Sequence, residues 1–386
     1  MNTETIKMMF AILRSAVCDE ILTSAEKAIY NADMLPEMEK ISKHHDVINI
    51  LAYGLRKNGL LKGDSESLET ELLKSVYRYT KLEYELNCLC NALESAEIPF
   101  IPLKGSVIRK YYPEPWLRTS CDIDVLIHSC DLDKAKIYLQ QNLKYKYVDE
   151  NEYHVSFGTQ SGWHIEMHFD LIEDNRVNSA AQVLKNVWNT AVKHAGCDYW
   201  YEMTNEMFYF YHITHMAKHF TNGGCGIRPF VDIFVLKNNV TYDEKKRDSL
   251  LIDGGLKEFS NAVGSLSNVW FNNAEHTDIT LQMQDYILRG GVFGTDKNYI
   301  LIKQQKLGGK LKYMLYKIFF PYKELKKLYP ILKKHRWLTP IMEVRRWFRH
   351  IFCFKLKRAA NELEFNNSVT KSTSENVKNM LDKIGL

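Results

Sequence analysis

The sequence predicts an α+β fold in which a small mixed sheet is flanked by helical regions. Apolar residues recur at helical spacing in residues 68–96, whereas residues 98–203 contain short β-branched runs separated by Gly and Pro. Helical patterns return after this core, and 386 residues are enough for more than one domain. We expect an N-terminal helical region (1–97), a sheet core (98–203), a helical domain that completes a cleft (204–300), and a basic helical segment with a polar tail (301–386).

Within the core, short elements follow one another closely. The apolar run at 98–105 predicts a strand, and residues 106–112 predict a short helix that ends at Pro113. Farther along, the pattern predicts a strand at 122–128, a helix at 131–142, a hairpin within 144–172 and a strand at 197–203. Near the end of the chain, the polar residues 361–380 predict a loosely held tail.

The composition is that of an ordinary globular protein, with 45% hydrophobic and 25% charged residues. No apolar run is long enough for a transmembrane helix, and the first 20 residues lack the pattern of a secretory signal. The eight cysteines include no CxxC pair. We therefore expect reduced thiols and a cytoplasmic protein without a transmembrane segment.

Positive charge is concentrated near the C-terminus. Residues 301–360 contain 17 Lys and Arg but only two acidic residues, although the whole chain has a net charge of +4. Within 303–358 the cations alternate with aromatic residues, a composition that suits contact with nucleic acid or with an anionic membrane surface. The structural alternative is a segment that packs its aromatic residues into its own core or docks on the acidic remainder of the chain.

Two aspartates one residue apart open the predicted strand DIDVLIH. The side chains of Asp122 and Asp124 project from the same face, because side chains alternate along a strand. Two carboxylates held this close repel each other, and burying them is costly. A bound cation resolves both problems, so the pair predicts a metal site. The same repulsion predicts that Asp124→Asn leaves the metal-free protein as stable as before or more so.

A third carboxylate follows in the run WHIEMHFD. Glu166 lies between two apolar residues and can complete a metal site, whereas a lone Glu is more often a solvent-facing residue of an edge strand. Asp170 is in phase with Glu166 and His168, so the alternation does not decide which acidic residue is the third carboxylate.

The run PLKGS places Lys104, Gly105 and Ser106 between a predicted strand and a predicted helix. Glycine allows close approach of the backbone, and the amides at a helix N-terminus bind phosphate. Gly-Ser before a helix is common, so this pattern has little specificity on its own.

Taken together, these features resemble the nucleotidyltransferase superfamily typified by DNA polymerase beta. Closer still is the resemblance to the bacterial family of uncharacterised nucleotidyltransferases, NTP_transf_5, over most of residues 95–350. It is carried by PLKGSVIRKYYPEPWLRTSCDIDVLI, HIEMHFDL, HITHMAKHF and GIRPFVDI. Gly105 lies 17 positions before Asp122, a longer spacing than in many superfamily members, and the resemblance therefore does not specify the geometry of the phosphate loop.

The resemblance implies a metal-dependent mechanism. Asp122, Asp124 and Glu166 would hold Mg²⁺, with two ions expected, and an NTP would be the substrate. The acidic-x-His pattern of the family favours Glu166 over Asp170.

Three cations near the expected site, Lys104, Arg109 and Arg118, would neutralise the triphosphate beside Gly105 and Ser106. For each cation, the alternative is a solvated surface side chain.

The predicted helix around residues 211–220 carries His212, His215 and His219 on one face, at i, i+3 and i+7. That spacing suits zinc, but the helix lacks the Glu of an HExxH site and a fourth ligand. Packing against the core is therefore the favoured interpretation. The resemblance implies a third one, in which His215, Lys218 and His219 face the cleft and contact the substrate.

Further residues carry the same ambiguity. His168 is a candidate cleft contact, as are Arg228 and Asp232, which are one helical turn apart. A structural ion pair between Arg228 and Asp232 is the alternative.

The leading hypothesis is a Mg²⁺-dependent nucleotidyltransferase that moves NMP from an NTP such as ATP to an unidentified acceptor and releases pyrophosphate. The acceptor is a small molecule, an RNA end or a protein side chain, and no short motif specifies it or the base. The alternative is a non-catalytic nucleotide- or RNA-binding protein that retains the fold.

Overall fold

The computed structural model describes residues 2–61, 66–171, 178–291, 296–352 and 371–386. Helices make up most of these residues and surround a five-stranded mixed sheet, so the predicted α+β class is confirmed. The domain limits proposed at residues 97, 203 and 300 stay a prediction.

Among the described residues, five α-helices precede the sheet: α1 (Thr3–Val17), α2 (Ser24–Ile29), α3 (Leu35–His44), α4 (Ile48–Lys57) and α5 (Glu66–Ser95). The last of these is 30 residues long, and its C-terminal half buries Leu82, Leu86, Leu89 and Leu93 beneath the sheet. Their spacing of three or four residues places them on one side of the helix.

The sheet core contains β1 (Phe100–Pro102), α6 (Gly105–Ile108), β2 (Asp122–Ile127), α7 (Leu132–Asn142), β3 (Lys146–Glu150), β4 (His154–Gly158) and β5 (His164–His168). The strand order is β1-β2-β5-β4-β3, and only the central pair β2 and β5 is parallel. Residues 144–172 thus form three antiparallel strands rather than the single predicted hairpin. The turn between β3 and β4 contains no glycine: Asn151 Oδ1 accepts hydrogen bonds from the backbone N–H groups of Tyr153 and His154.

Helices dominate the remainder of the chain. In order, the elements are α8 (Asn178–Leu184), α9 (Val187–Thr190), β6 (Val192–Lys193), β7 (Tyr201–Glu202), α10 (Asn205–Phe220), α11 (Arg228–Asn239), α12 (Glu244–Asp253), α13 (Lys257–Phe271), α14 (Asp278–Leu288), α15 (Asp296–Leu307), α16 (Lys310–Ile318), α17 (Tyr322–Leu328), α18 (Thr339–Phe352) and α19 (Lys371–Lys383). The strand predicted at 197–203 is the two-residue β7, which pairs with β6.

The two faces of the sheet differ in chemistry. On β2, Ile123, Val125 and Ile127 are fully buried in the same apolar cluster as α5 and α7. Because side chains alternate, Asp122 and Asp124 project from the opposite face. One face of the sheet is therefore a core, and the other carries the polar residues that form the candidate site.

The N-terminal helices share a core with the helices after the sheet. Phe10 of α1 stacks on Trp270 of α13 with ring centroids 4.3 Å apart, and both are almost fully buried. Stacked rings of this kind stabilise a core beyond the burial of their area. The first and the third predicted regions are thus in direct contact.

The tail prediction is wrong for the residues after 370, since 371–383 form helix α19. Met380, Leu381 and Ile384 are nearly buried and join the main core. With Val377 they have the spacing i, i+3, i+4 and i+7 of an amphipathic helix, which the polar composition of this segment hides. Residues 361–370 lie outside the described residues.

In the described part of the chain, no helix combines the length and the apolar character needed to cross a bilayer.

Candidate metal and nucleotide site

The parallel pairing of β2 with β5 brings the three predicted carboxylates together. Asp124 is directly opposite Glu166 in the register, and Asp122 is opposite His164. Residues paired in register point to the same face of a sheet. Ligand oxygens of Asp122, Asp124 and Glu166 all lie within 4.8 Å of one another. The predicted convergence is confirmed, whereas the role of these residues as metal ligands stays a prediction.

The structure also separates the two candidates for the third carboxylate. Glu166 belongs to this group of potential ligands, and among the described residues Asp170 belongs to none. Asp170 lies two residues beyond the end of β5, where the strand pairing no longer fixes its direction. The geometry therefore favours Glu166.

A lysine lies among the carboxylates. Lys104 Nζ is 2.8 Å from Asp124 Oδ1, and the Asp124 side chain is only 3% exposed. Lys104 also interacts electrostatically with Glu166. Lys218 of α10 interacts with the same two carboxylates. Three carboxylates thus face two ammonium groups, so negative charge exceeds positive charge among these side chains.

His168 connects two of the carboxylates. Its Nε2 is 2.9 Å from Asp124 Oδ1 and 3.4 Å from Glu166 Oε2, and its side chain is 1% exposed. An N–H at this nitrogen can donate to both oxygens and fix their positions. His168, one of the candidate cleft contacts, therefore touches the carboxylates directly, as an orienting residue.

The surroundings shift the pKa values of the carboxyl groups in opposite directions. Burial alone raises the pKa of Asp124, but the Lys104 ammonium and the hydrogen bond with His168 outweigh it and hold that pKa well below its usual range. The His168 hydrogen bond also lowers the pKa of Glu166. Burial and the neighbouring Asp124 charge raise the pKa of Asp122. Of the three carboxyl groups, ionisation is therefore least favoured at Asp122.

The predicted phosphate loop has strained geometry. Lys104 has φ +47° and ψ −123°, a conformation that side-chain-bearing residues rarely adopt. A Cβ at Gly105 would meet Ser120 Oγ at 2.0 Å, so any larger residue there requires the Ser120 hydroxyl to move. The helix that follows, α6, has only four residues. The positive charge of the loop therefore comes mainly from Lys104 rather than from a helix dipole.

The two arginines hold this loop from behind. Arg109 is buried and donates from Nε to the Gly105 carbonyl at 2.7 Å, and from Nη2 to Ser120 Oγ at 3.3 Å. Arg118 is buried against Asp232, with Nε 2.7 Å from Oδ1. Both guanidinium groups thus contact protein rather than the carboxylate cluster, and neither is a solvated surface cation.

Asp232 is the centre of a second buried polar cluster. Besides Arg118, it accepts a hydrogen bond from the Tyr112 hydroxyl at 2.6 Å, and His212 Nε2 is 3.4 Å away. Burial raises the pKa of Asp232, but Arg118 and His212 outweigh this and hold it well below its usual range. This carboxylate is balanced by its own neighbours.

Arg228 and Asp232 each form an ion pair, but not with each other as the sequence suggested. Arg228 pairs with Asp46 in the turn before α4, while Asp232 takes Arg118. Helical spacing permits an i, i+4 pair, but a partner from another segment can reach each charge from the opposite side. Both residues thus connect α11 to distant parts of the chain.

Helix α10 covers the carboxylate face of the sheet. Tyr211, His215 and Lys218 all interact electrostatically with Lys104. Burial and the Lys104 charge lower the pKa of Lys218 to about 8 and hold that of His215 well below its usual range. Burial and Lys218 lower the pKa of His219 to about 4. The two imidazoles are 3.0 Å apart between their Nε2 atoms, and both are neutral at pH 7.

The zinc interpretation of this helix is not supported. Among the described residues, neither of the two groups of potential metal ligands contains a histidine of α10, and His212 lies against Asp232 instead. The second group consists of His154, Glu166 and His168. It shares Glu166 with the carboxylates and lies on the same sheet face, since His154 pairs in register with His168.

Several residues around the site were not predicted from the sequence, although the spacing of two of them in the sequence indicates their position. Tyr211 precedes His215 by one helical turn and so shares its face. His154 begins the strand next to β5 with the parity that points toward Glu166. Ser120, Tyr112 and Asp46 had no local signal, because their partners are distant in sequence.

The donor set fits a hard divalent cation. Mg²⁺ prefers carboxylate oxygens, and the cluster offers three carboxylates with a net negative charge. Val125, the residue after Asp124, is buried in the apolar cluster on the other face of the sheet. This burial fixes the orientation of the strand and therefore the direction of the Asp124 side chain.

Comparisons with known proteins give one match. Residues 36–272 match the family described as "Uncharacterised nucleotidyltransferase" (NTP_transf_5). The match begins within the N-terminal helices rather than at residue 95, and it ends before the basic segment that the resemblance had included. Searches of curated proteins and of solved structures return no match. Since the match covers more than half of the chain, from α3 through the carboxylate cluster to α13, the protein belongs to this family of uncharacterised nucleotidyltransferases.

Proposed function

We propose that the protein is a Mg²⁺-dependent nucleotidyltransferase that transfers NMP from an NTP to an acceptor and releases pyrophosphate. One observation carries the proposal: Asp122, Asp124 and Glu166 converge on one sheet face with ligand atoms within 4.8 Å, beside a lysine in a strained glycine loop. Mg²⁺, when bound there, would neutralise phosphate charge and lower the pKa of the attacking hydroxyl.

Lys104 has two partners in this proposal. In the metal-free protein its ammonium offsets the charge of Asp124 at 2.8 Å. Once the carboxylates have a cation of their own, the same ammonium is available to the phosphates of the nucleotide. Its position at the loop, just before Gly105, lets it reach either partner by side-chain rotation.

The groups behind the loop position it. Arg109 holds the Gly105 carbonyl, and Arg118 is fixed by Asp232 beneath the same loop. His168 orients Asp124 and Glu166. Such support keeps reactive groups in a productive geometry, which in phosphoryl transfer supplies most of the catalysis.

Helix α10 closes the proposed cleft on the remaining side. Lys218, whose pKa is lowered to about 8, is still mostly protonated at pH 7, and an anionic phosphate beside it would stabilise that charge. The neutral His215 and His219 are suited to hydrogen-bond a phosphate or an acceptor hydroxyl. None of these residues needs to form a covalent intermediate.

The experiment is incubation of the protein with each α-labelled NTP, Mg²⁺ and a cell extract, followed by identification of the labelled species. We expect Mg²⁺-dependent labelling from a preferred NTP and pyrophosphate release. A matched pair of variants locates the site: Glu166→Gln should abolish labelling, whereas Asp170→Asn, four residues farther along, should retain it. Metal-dependent NTP binding without labelling would favour the non-catalytic alternative, and labelling by Glu166→Gln would contradict the proposed site.

A further inference from the structure

Helix α18 presents its apolar side to solvent. Ile341, Val344 and Phe348 lie at i, i+3 and i+7, on one face, and are 54, 44 and 55% exposed. Glu343 and Arg346, by contrast, are buried. A surface helix of a globular protein normally buries its apolar stripe and exposes its charges. In α18 this arrangement is reversed.

Hydrogen bonds fix the reversed orientation. Arg346 Nε lies 2.9 Å from Glu343 Oε2, and Nη2 donates to the Ile318 carbonyl at 2.7 Å. Glu343 Oε1 accepts from the Phe320 backbone N–H at 2.6 Å. Trp347 Nε1 donates to the same Ile318 carbonyl at 2.8 Å. These contacts satisfy backbone groups at the C-terminal end of α16 that have no partner within the helix. The apolar face of α18 is therefore held outward by specific polar contacts.

The exposed apolar area extends beyond α18. On α16, Leu311, Leu315 and Ile318 lie at i, i+4 and i+7 and are 70, 49 and 45% exposed, and Trp337 is 72% exposed. Ten of the 22 exposed large hydrophobic side chains found among the described residues lie between residues 311 and 348. We call residues 310–352 the basic apolar surface. Groups of exposed apolar side chains are typical of interaction sites.

The same residues are strongly basic. Residues 310–352 contain 12 Lys and Arg and two acidic residues, one of which, Glu343, is paired inside. Several cations flank the apolar stripes and are exposed: Lys312, Lys323, Lys333, Lys334, Arg336, Arg345 and Arg349. The partner of this surface must therefore accept apolar side chains and also carry negative charge.

The kind of exposed side chain discriminates between partners. Single-stranded nucleic acid is held by aromatic rings on which bases stack. Here seven of the ten exposed side chains are aliphatic, which favours a hydrocarbon environment over stacking. Tyr313, which could have served for stacking, is buried. If this segment only packed its aromatic residues into its own core, they would be buried. Tyr313 is buried, but Trp337 and Phe348 are exposed.

We propose that the basic apolar surface docks the protein peripherally on an anionic membrane, with its aliphatic and aromatic side chains at the acyl boundary and its cations at acidic headgroups. Both ingredients of interfacial binding are present, buried apolar area and attraction to anionic lipid. This inference is independent of the nucleotidyl transfer proposed above, since no residue of the carboxylate cluster takes part.

Flotation of the full-length protein with vesicles tests the inference. We expect binding to phosphatidylcholine vesicles that contain about one third phosphatidylserine, and binding at least about tenfold weaker to phosphatidylcholine alone. Ile341→Ser combined with Phe348→Ser should weaken binding at least about tenfold at any salt concentration. Arg345→Gln combined with Arg349→Gln should weaken it about fivefold per cation at low salt and little at high salt.

Matched controls lie elsewhere on the molecule. Leu73→Ser removes a side chain that is 71% exposed on α5, and Lys245→Gln with Lys246→Gln removes two exposed cations of α12. These variants should bind vesicles like the wild type. All variants should keep the thermal unfolding midpoint and any NTP binding of the wild type, so a failure here is distinct from a failure of the proposed function.

Three outcomes would overturn the inference. One is that the protein binds neutral and anionic vesicles equally well, or that it binds no vesicles even at low salt. Another is tight binding of a single-stranded RNA that the arginine double variant abolishes, without vesicle binding. The third is a concentration-dependent dimer that the Ile341 and Phe348 double variant dissociates, again without vesicle binding.

Discussion

Two buried carboxylates, Asp124 and Asp232, lie in clusters that look alike but differ in their charge balance. Asp232 is one carboxylate with an arginine, a tyrosine hydroxyl and a histidine around it. Asp124 also has a lysine and a histidine within 3 Å, but two further carboxylates lie within 4.8 Å. The first cluster is complete in the protein itself, whereas the second has an excess of negative charge.

This difference separates a structural role from a binding role. Buried charges are tolerated when their hydrogen-bonding and charge requirements are met. Asp232 meets both, so its role is to join α10, α11 and the loop after α6. The Asp124 cluster meets its hydrogen-bonding needs but not its charge balance, which is what a site for a cation and a polyphosphate requires. The predictions below test this contrast.

The largest effect is expected on stability, from Asp232→Asn. It leaves the buried Arg118 without a counter-ion and should lower the free energy of unfolding by about 3–5 kcal/mol. Urea unfolding followed by circular dichroism measures it. Asp285→Asn is the matched control: Asp285 pairs with Arg289 at 2.6 Å but is 63% exposed, so it should cost about 0.5 kcal/mol or less.

The pH dependence of stability gives the same contrast a second readout. The pKa of Asp232 is depressed in the folded protein. Its contribution to stability is therefore present above the unfolded pKa of about 4 and is lost as the pH falls through the lower folded pKa. Wild-type protein should lose stability below about pH 4 more steeply than Asp232→Asn. If the stability of the wild type and of Asp232→Asn falls equally with pH, ionised Asp232 does not stabilise the folded protein.

The next largest effect is expected on activity, from Asp124→Asn. Changes to residues that support metal ligands cost roughly 10–100-fold, so loss of a ligand itself should cost at least about 100-fold in transfer rate. The fold should persist, because Asp122 and Glu166 still offset Lys104. The measurement is the rate of NMP transfer together with a thermal unfolding curve. A variant with unchanged turnover would remove Asp124 from the metal site.

Gly105→Ala probes the loop rather than the charges. The added Cβ would lie 2.0 Å from Ser120 Oγ and must displace that hydroxyl, which Arg109 contacts, or the loop itself, an overpacking effect of about 1–3 kcal/mol. Mg²⁺-dependent NTP affinity should fall at least about tenfold, as measured by calorimetry. Ser120→Gly in the same chain removes the clash and should restore most of the affinity. If Gly105→Ala binds the nucleotide like the wild type, the loop does not contact it.

The local patterns of the sequence predicted the parts of the structure that depend on alternation. The side chains of Asp122, Asp124 and Glu166 share a face because β2 and β5 are regular strands, and the apolar residues between them specify the other face. The sequence did not specify the parallel register that places Asp124 opposite Glu166. The resemblance to known nucleotidyltransferases supplied only the expectation that the three carboxylates hold one metal site.

Long-range charge partners could not be predicted. Helical spacing suggested that Arg228 pairs with Asp232, yet the two residues pair with Asp46 and Arg118, respectively 182 and 114 positions away. The polar composition of the last segment likewise concealed the spacing of Met380 and Leu381, which buries one side of α19. Both errors arise because local pattern does not encode which distant surface a side chain meets.

The smallest effect concerns Asp122 and corrects an expectation drawn from the sequence. Repulsion within the Asp122–Asp124 pair suggested that removal of the Asp124 charge would be tolerated or stabilising. The structure assigns that relief to Asp122, because burial and Asp124 raise the pKa of Asp122, whereas Lys104 and His168 favour ionised Asp124.

Asp122→Asn should therefore raise the free energy of unfolding of the metal-free protein by about 1 kcal/mol or less, while Asp124→Asn should lower it. Urea unfolding with and without EDTA and Mg²⁺ measures both variants. Saturating Mg²⁺ should reverse the order of wild type and Asp122→Asn, since only the wild type then has its full set of carboxylates for the cation. If Mg²⁺ stabilises both proteins equally, Asp122 does not bind it. If Asp122→Asn is less stable than the wild type in EDTA, the cluster is balanced without a cation, and its contrast with Asp232 disappears.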